Sequence, residues 1–429
     1  MAATAKEKRM LKRRVLAFVI LHALIGLHLL LWYVFDWHLI GAIDMQELFR
    51  NLIEKNVLTI GALFFLVFIG AGLLWGRLFC GWLCHIGQAY DLLAALYRKW
   101  GLPLKAFPLR LGPLMALFIL VWFFLWEAVA HRMEQIPQGL EVNMGLTEPW
   151  ELLPGFWNGS LTLALVLLVL PMMLGPRTFC RNLCPWGVLL GMANRLSPLK
   201  VRRTGNCTMC GLCSPACPMD LDVSRLINTE FRVDSLRCTN CFQCVAACPE
   251  NALSFALPRK ENRRPQKRPL LKPLQWVSWP VEIVFWLLTL WVGLTYSELY
   301  GIGIFLAFTL GLIMAWCSYR VVVDFRRGPW LRRLAPALVL LLLWGVVFKD
   351  GLAHHHYKKG GQAWDQGNFA LAQHHYERCD ALFWLNPDLL YFRLYRIYKG
   401  SGQETKRKQL YDRFERRRQG KGATKRRED

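Results

Sequence analysis

Over its first 320 or so residues the chain alternates long apolar runs with short charged connections. Runs near 15–35, 57–75, 111–130, 157–175, 276–296 and 300–318 approach the length of about 20 apolar residues that crosses a bilayer. A seventh run, 334–348, is shorter, and Arg332 and Arg333 crowd its start, so it either spans or re-enters. The pattern predicts a mostly α, polytopic helical membrane protein with six or seven spans. The basic stretch from Lys6 to Arg14 precedes an apolar run too long for a signal-peptide core, so the first run reads as a retained span.

Charge then orients the spans. Lys6, Lys8, Arg9, Lys12, Arg13 and Arg14 place the N-terminus in the cytoplasm of a bacterial inner membrane. The loops at 36–56 and 131–159 are acidic and fit outside, whereas 76–110 and the segment after the fourth span are basic and fit inside. The formal charge of +23 follows mainly from this bias and from a basic C-terminal tail, so it does not call for nucleic acid.

The chemistry sits in the segment that follows the fourth span. Cys207, Cys210, Cys213 and Cys217-Pro218 repeat as Cys238, Cys241, Cys244 and Cys248-Pro249 with the same spacing. Cys-x2-Cys-x2-Cys-x3-Cys-Pro is the bacterial two-cluster ferredoxin run, in which the fourth cysteine of each copy ligates the other cluster. One 4Fe–4S cluster is therefore assigned to Cys207, Cys210, Cys213 and Cys248, and the second to Cys238, Cys241, Cys244 and Cys217. Zinc sites use cysteine pairs and rarely carry two matched Cys-Pro endings. The module is an α+β ferredoxin insert at 203–258 on the cytoplasmic side.

A second cysteine pattern lies in the membrane part. Gly76 to Gly87 and Pro176 to Gly187 match at six of twelve positions at an offset of 100 residues, including Cys80/Cys180 and Cys84/Cys184. If helical, each Cys-x3-Cys sets two thiols on one face a turn apart. Two duplicated hairpins would then converge Cys80, Cys84, Cys180 and Cys184 as four ligands of a metal or cluster, or as a redox-active dithiol set. Buried cysteines acting as small hydrophobes are the plain alternative. Arg77 and Arg177 either anchor at the interface or balance thiolate charge.

Four spans, two membrane-edge Cys-x3-Cys motifs and a following two-cluster ferredoxin resemble the NapH/MauN group and the membrane half of NosR-type proteins, over residues 10–258. The resemblance implies a membrane-bound quinol dehydrogenase or electron-transfer protein that joins the quinone pool to a partner reductase or maturation system. In that family the motif is Cys-x3-Cys-Pro. Pro185 obeys it, but His85 stands in the first copy, as an extra ligand, a proton acceptor or a tolerated replacement, and leaves the geometry of that pair open. A related maturation family with the same motifs implies copper at the four membrane cysteines, and a redox-sensing scaffold is a third reading. Gly422-Ala423-Thr424 lacks the leading hydroxyl residue of the covalent-flavin motif that some relatives carry, and no Rossmann fingerprint follows a strand pattern.

Quinol oxidation needs a proton acceptor near a membrane face, and ionisable groups within spans are costly and often functional. His22, His28, Glu127 and Glu282 qualify by position. Glu127 with His131, four residues on, is the favoured pair, near the outer end of the third span. Beyond the ferredoxin, residues 259–275 read as a basic, proline-rich linker and 276–348 as an added membrane block without paired cysteines. Residues 349–400 resemble one tetratricopeptide unit, with Gly360, Gly367-Asn368-Phe369, Ala372 and Tyr376 in register and Cys379 where alanine is usual. One such unit must dock on something, such as a helix near 388–398. Five histidines in it, His354, His355, His356, His374 and His375, lack the spacing of a metal site. A basic tail, 401–429, ends the chain.

Overall fold

The computed structural model describes residues 5–102, 104–134, 139–146, 156–258, 277–300, 302–325, 331–382 and 388–412. Of the sequence expectations, the linker at 259–275, Pro387 and the tail from 413 lie outside the described residues. The chain forms two compact units, Met1–Trp286 and Leu287–Asp429.

The first unit opens with α1 (Ala5–Val34), whose apolar side chains such as Leu16, Ile20, Leu24 and Leu27 are exposed, as a lipid-facing helix requires. A short π-helical turn (Leu48–Ile53) and β1 (Val57–Leu58) lead into α2 (Ile60–Trp75). There the chain bends by 93° into α3 (Leu78–Trp82) and α4 (His85–Lys99). Gly76 makes that bend at φ +65°, where a side chain would also strike Asn194 and Asn240.

The third run is one continuous rod in which α5 (Gly112–Leu120) passes through a π-helical stretch into α6 (Glu127–Glu134). β2 (Glu141–Val142) pairs in parallel with β1. α7 (Phe156–Ala164) continues through a π-helical stretch, Leu165–Val169, into α8 (Leu170–Leu174). Pro171 explains the irregularity, because it has no N–H to return to the preceding turn. α9 (Thr178–Asn182) and α10 (Pro185–Leu196) then repeat the α3–α4 arrangement.

The ferredoxin module follows at once. β3 (Lys200–Arg203) pairs antiparallel with β4 (Leu253–Ala256), from Lys200↔Ala256 to Arg203↔Leu253, so its sheet starts three residues before the boundary read from the sequence. Two short helices, α11 (Val223–Thr229) and α12 (Gln243–Ala246), lie between the strands, and Val201, Val223, Ile227, Val233 and Leu253 form their core. The last helix to begin in this unit, α13 (Trp279–Tyr300), is fixed at its start by Glu282, whose Oε1 accepts from the Leu111 N–H at 2.7 Å.

In the second unit α14 (Ile304–Phe325) packs on α15 (Leu331–Asp365). α15 is one 35-residue helix, unbroken where the membrane block was expected to end at 348. With α16 (Phe369–Leu382) it makes the expected helical hairpin, turned by Gly367 at φ +73°. The expected docking helix is α17 (Asp388–Gly400), which supplies Leu390, Leu394 and Ile397 to a core with Ala363, Ala372, Tyr376 and Cys379. Four described helices are long and apolar enough to cross a membrane, or five with the bent α2–α4 pair taken as one span. They are α1, the α5–α6 rod, α13 and α14, whereas the 158–174 stretch is shorter.

Candidate iron–sulfur and membrane-edge cysteine site

The eight ferredoxin cysteines fall into two groups in space, and the groups cross between the two sequence runs. Cys207, Cys210, Cys213 and Cys248 line one cavity, with Ile227 and Leu253 behind them. Cys217, Cys238, Cys241 and Cys244 line a second, closed by Val201, Val233 and Phe242. Four converging thiols per apolar cavity fit a cubane cluster in donor number and softness. Burial pushes the free Cys213 thiol up to about 12 and Cys238 up to about 11, so ligation must displace protons that burial otherwise retains. Left-handed residues between the ligands, Met209, Gly211, Asn240 and Phe242, tighten the loops around each cavity.

The membrane-edge cysteines do not lie on continuous helices, which corrects the helical expectation. In each copy the helix stops after the first cysteine and restarts after the second. Cys84 is the residue before α4 (φ −65°, ψ 116°), and Cys184 is the residue before α10 (φ −72°, ψ 109°). Both cysteine N–H groups bond to the phenylalanine five residues back, Cys84 to Phe79 O at 3.0 Å and Cys184 to Phe179 O at 2.9 Å. Proline at the first helical position explains the extended Cys184, since it disfavours helical torsions in the residue before it. His85 permits the same backbone without the ring, so the departure from Cys-Pro leaves the first pair's geometry intact.

The two copies also interlock crosswise. The Arg177 guanidinium reaches the Cys80 carbonyl and packs against Gly87, while Arg77 packs against Gly187 of the other copy. All four cysteines interact electrostatically, Cys180 with Cys184, Cys84 and Cys80, and Cys184 with Cys80 and Cys84. The thiols of the two motifs thus lie near enough to influence one another. Among the described residues, however, no group of three or more His, Cys, Asp or Glu closes to the spacing of a single metal ion.

Around this set lies a charge network that sequence reasoning missed. Arg177 is fully buried and donates to both Asp91 oxygens, at 2.7 and 2.6 Å, and Arg14 of α1 pairs with the same carboxylate. Arg14, read as a cytoplasmic anchor, is instead completely buried, with Nε donating to Gly81 O at 2.9 Å. The only advance signal was an acid, Asp91, on a helix whose remaining buried positions are mostly uncharged.

The second ferredoxin loop is clamped onto this platform. Arg77 donates to Leu236 O at 2.6 Å, Trp82 Nε1 to Asn240 O at 3.2 Å, and Asn240 Nδ2 to Trp75 O at 2.9 Å. Arg177 Nη1 lies 3.2 Å from Thr239 Oγ1 and also interacts with Cys241 and Cys180. Arg177 therefore sits between the membrane cysteines and one ferredoxin cavity. Gly81 permits the approach, since a Cβ there would lie 2.4 Å from Thr239 O. Lys6 Nζ reaches Asn251 Oδ1 at 2.5 Å, which sets the start of α1 on the ferredoxin's side.

The other predicted residues are scattered. Glu127 and His131 are both exposed on α6, and His131 Nδ1 lies 3.6 Å from Glu54 Oε1. Glu282 serves α13 and the Leu111 backbone, and His28 packs near Trp32 with Nε2 buried and unbonded.

Comparison with known proteins agrees with this geometry. A family model for a 4Fe-4S dicluster domain matches residues 199–249, and one for a 4Fe-4S binding domain matches 57–103 and 157–204, the two cysteine-bearing copies. An uncharacterized protein of Methanocaldococcus jannaschii is 30% identical over 193 residues, 44% of this chain and 68% of that protein. The chain belongs to the NapH/MauN/NosR-like family of ferredoxin-type membrane proteins. YccM of Escherichia coli, named for electron transport, is 33% identical over 201 residues, 46% of this chain and only 55% of YccM's length. NapH of Haemophilus influenzae, a ferredoxin-type protein, is 27% identical over 227 residues, 50% of this chain and 73% of its own. No solved structure matches. The chain is a membrane iron–sulfur protein of an electron-transport family.

Proposed function

We propose that the chain is a quinol dehydrogenase component that passes electrons from the quinone pool of a bacterial inner membrane to a protein redox partner. The observation that carries this reading is the clamping of one ferredoxin cavity onto the convergent membrane cysteines through Arg77, Trp82 and Arg177. A ferredoxin serving only soluble partners has no need to bury its loop against a membrane-edge cysteine set.

Cys207, Cys210, Cys213 and Cys248 would hold one 4Fe–4S cluster, and Cys217, Cys238, Cys241 and Cys244 the other. Cys80, Cys84, Cys180 and Cys184 would hold a third iron–sulfur site, a reading favoured by the 4Fe-4S family model that matches both copies. Bound clusters supply one-electron chemistry. The chain's own residues position and insulate them. Arg177, held by Asp91, places fixed positive charge between the two cysteine sets, and Trp82 and Phe242 pack as neighbouring rings 5.8 Å apart beside the docked loop. The basic N-terminus, on the ferredoxin's side, orients the module toward the cytoplasm. The cavity of Cys207, Cys210, Cys213 and Cys248 includes the exposed Cys210, which suits it to face the soluble partner.

Anaerobic mixing of the purified protein with menaquinol or ubiquinol analogues tests the reading, with cluster reduction followed by EPR and visible bleaching. Rapid reduction in wild type, lost in the C80S/C180S double variant, is the expected result. Clusters that respond to dithionite and ignore both quinols would overturn it.

A further inference from the structure

Four arginines are buried around the membrane-edge cysteines, and fewer carboxylates come to meet them. Arg14 and Arg177 are fully buried, and Arg77 and Arg181 are only 3% and 4% exposed. Among the described residues the acids paired with them are Asp91, which serves both Arg14 and Arg177, and the half-buried Asp220, 3.7 Å from Arg181. The half-buried Arg237 faces Arg181 and Arg77 as well, with Glu282 as its own counter-charge. Arg14 Nη1, Arg77 Nε and Arg181 Nε are buried without an acceptor. A buried guanidinium lacking an anion is costly, so this surplus points to an anionic group in its midst. Four thiolates around a cubane make such a group, and each one-electron reduction adds a further negative charge.

Three of these arginines share one arrangement. Arg77 acts electrostatically on Cys184 and Cys238, Arg177 on Cys180 and Cys241, and Arg181 on Cys180 and Cys217. Each therefore stands between a membrane-edge cysteine and a ligand of the same ferredoxin cavity. Hydrogen bonds fix them there. Arg77 packs against Gly187 and donates to Leu236 O at 2.6 Å. Arg177 joins Cys80 O, at 3.4 Å, to Thr239 Oγ1, at 3.2 Å, and Arg181 donates to Leu174 O at 2.8 Å. The cavity of Cys207, Cys210, Cys213 and Cys248 is surrounded differently. Its lining carries the exposed Glu250. Arg203, which reaches the lining residue Asn228 at 3.3 Å, is only half-buried, so water screens its charge.

We propose that Arg77, Arg177 and Arg181 form a shared positive belt. It raises the reduction potentials of the membrane-edge centre and of the cluster of Cys217, Cys238, Cys241 and Cys244 together, above that of the other ferredoxin cluster. The arginines are positioning residues, which act through charge held at fixed places beside the ligands. Net charge and hydrogen bonding around a cluster are levers on its potential, and a buried charge acts far more strongly than one in water. The inference deepens the quinol reading above and rests on it for its use. A quinol oxidised to quinone releases two protons to water and two electrons, and the belt gives each electron a favoured centre. The cluster with the exposed Cys210 fills last and passes single electrons to the partner.

The experiment is an anaerobic redox titration of the full-length, cluster-loaded protein with dithionite and mediators, followed by EPR. Cys217→Ser and Cys248→Ser assign the two ferredoxin signals. In wild type the signal missing from Cys217→Ser should appear at the higher potential. Arg77→Gln and Arg181→Gln should each make its reduction about tenfold less favourable, which is about 59 mV for one electron. The signal missing from Cys248→Ser should shift less. Arg77→Lys, which keeps the charge, should stay near wild type, and iron content reports that each variant is loaded. Glutamine variants at the wild-type potential, or an Arg77→Lys that falls as far as Arg77→Gln, would overturn the belt. So would a wild type in which the cluster of Cys207, Cys210, Cys213 and Cys248 is reduced first, and that order decides the matter if a glutamine variant loses its iron. The expected order in clusters that ignore menaquinol would leave the belt standing and overturn the quinol reading. Reduction by menaquinol with the opposite order would do the reverse.

Discussion

At the scale of single residues, the crossing of ligands between the two cysteine runs gives the sharpest expectation. Cys248 lies in the second run yet lines the cavity of the first, and Cys217 does the reverse. Cys248→Ser should therefore remove the cluster of Cys207, Cys210 and Cys213, and Cys217→Ser the other. EPR of the reduced protein should show one signal lost in each variant, and the two survivors should differ. If both variants lost the same signal, the cavity assignment would fail. This much was legible in advance because ligand spacing in a ferredoxin run is local and the cluster leaves little freedom. The backbone at Cys84 was not legible. The missing proline suggested a different helix start, yet the histidine adopts the same turn, because the first helical position needs no intrahelical N–H bond and a proline is only one residue that suits it.

At the scale of elements, the duplicated motif and the tail hairpin were both visible as patterns, while their junctions were not. The offset of 100 residues located both cysteine pairs, but the bend that precedes each pair falls at Gly76 and Gly175, both at positive φ and both closely packed. The tail signature located α16, whereas α15 runs through the expected boundary because nothing in 345–352 stops a helix other than two glycines, Gly345 and Gly351, the second of which packs on Trp291. The hairpin carries a titratable contact. His356 Nδ1 and His375 Nδ1 lie 3.0 Å apart, so one ring must donate and the other accept. Burial, and then neighbouring positive or titratable groups including the other histidines, lower both from the ordinary value near about 6.5. The unfolded chain then binds more protons than the folded one as pH falls through that value, and hairpin stability is lost in the window below it. Amide protection factors across α16, corrected for the intrinsic pH dependence of exchange, should fall as pH drops from about 6.5 to 5.5. His375→Gln should flatten the profile, and equal pH dependence in the variant would rule the pair out.

At the scale of the whole first unit, one carboxylate joins parts that the sequence separates widely. Asp91, on α4, accepts from Arg14 of α1 and from Arg177 of the second copy, and Arg177 in turn touches Thr239 of the ferredoxin loop. None of this was readable from local pattern, since the partners lie 77 and 86 residues from Asp91 and each looks like an ordinary surface charge. The arrangement also explains how a duplicated membrane domain and an appended ferredoxin come to share one interior. Each copy contributes its arginine to the other copy's helix start, and a single acid, Asp91, pairs with both Arg177 and Arg14. Asp91→Ala would strand two fully buried guanidinium groups, and breaking a buried pair in that way costs about 3–5 kcal/mol. The expected outcome is a clear drop in the melting midpoint of the detergent-solubilised protein. The cluster of Cys217, Cys238, Cys241 and Cys244 should shift its EPR line shape, because its loop loses the Arg177 anchor. The cluster of Cys207, Cys210, Cys213 and Cys248 has no contact with the network and should keep its spectrum. A drop in midpoint with both spectra unchanged would mean that Asp91 braces the membrane helices without positioning the ferredoxin. Equal perturbation of both spectra would mean that the module moves as one rigid piece on the platform.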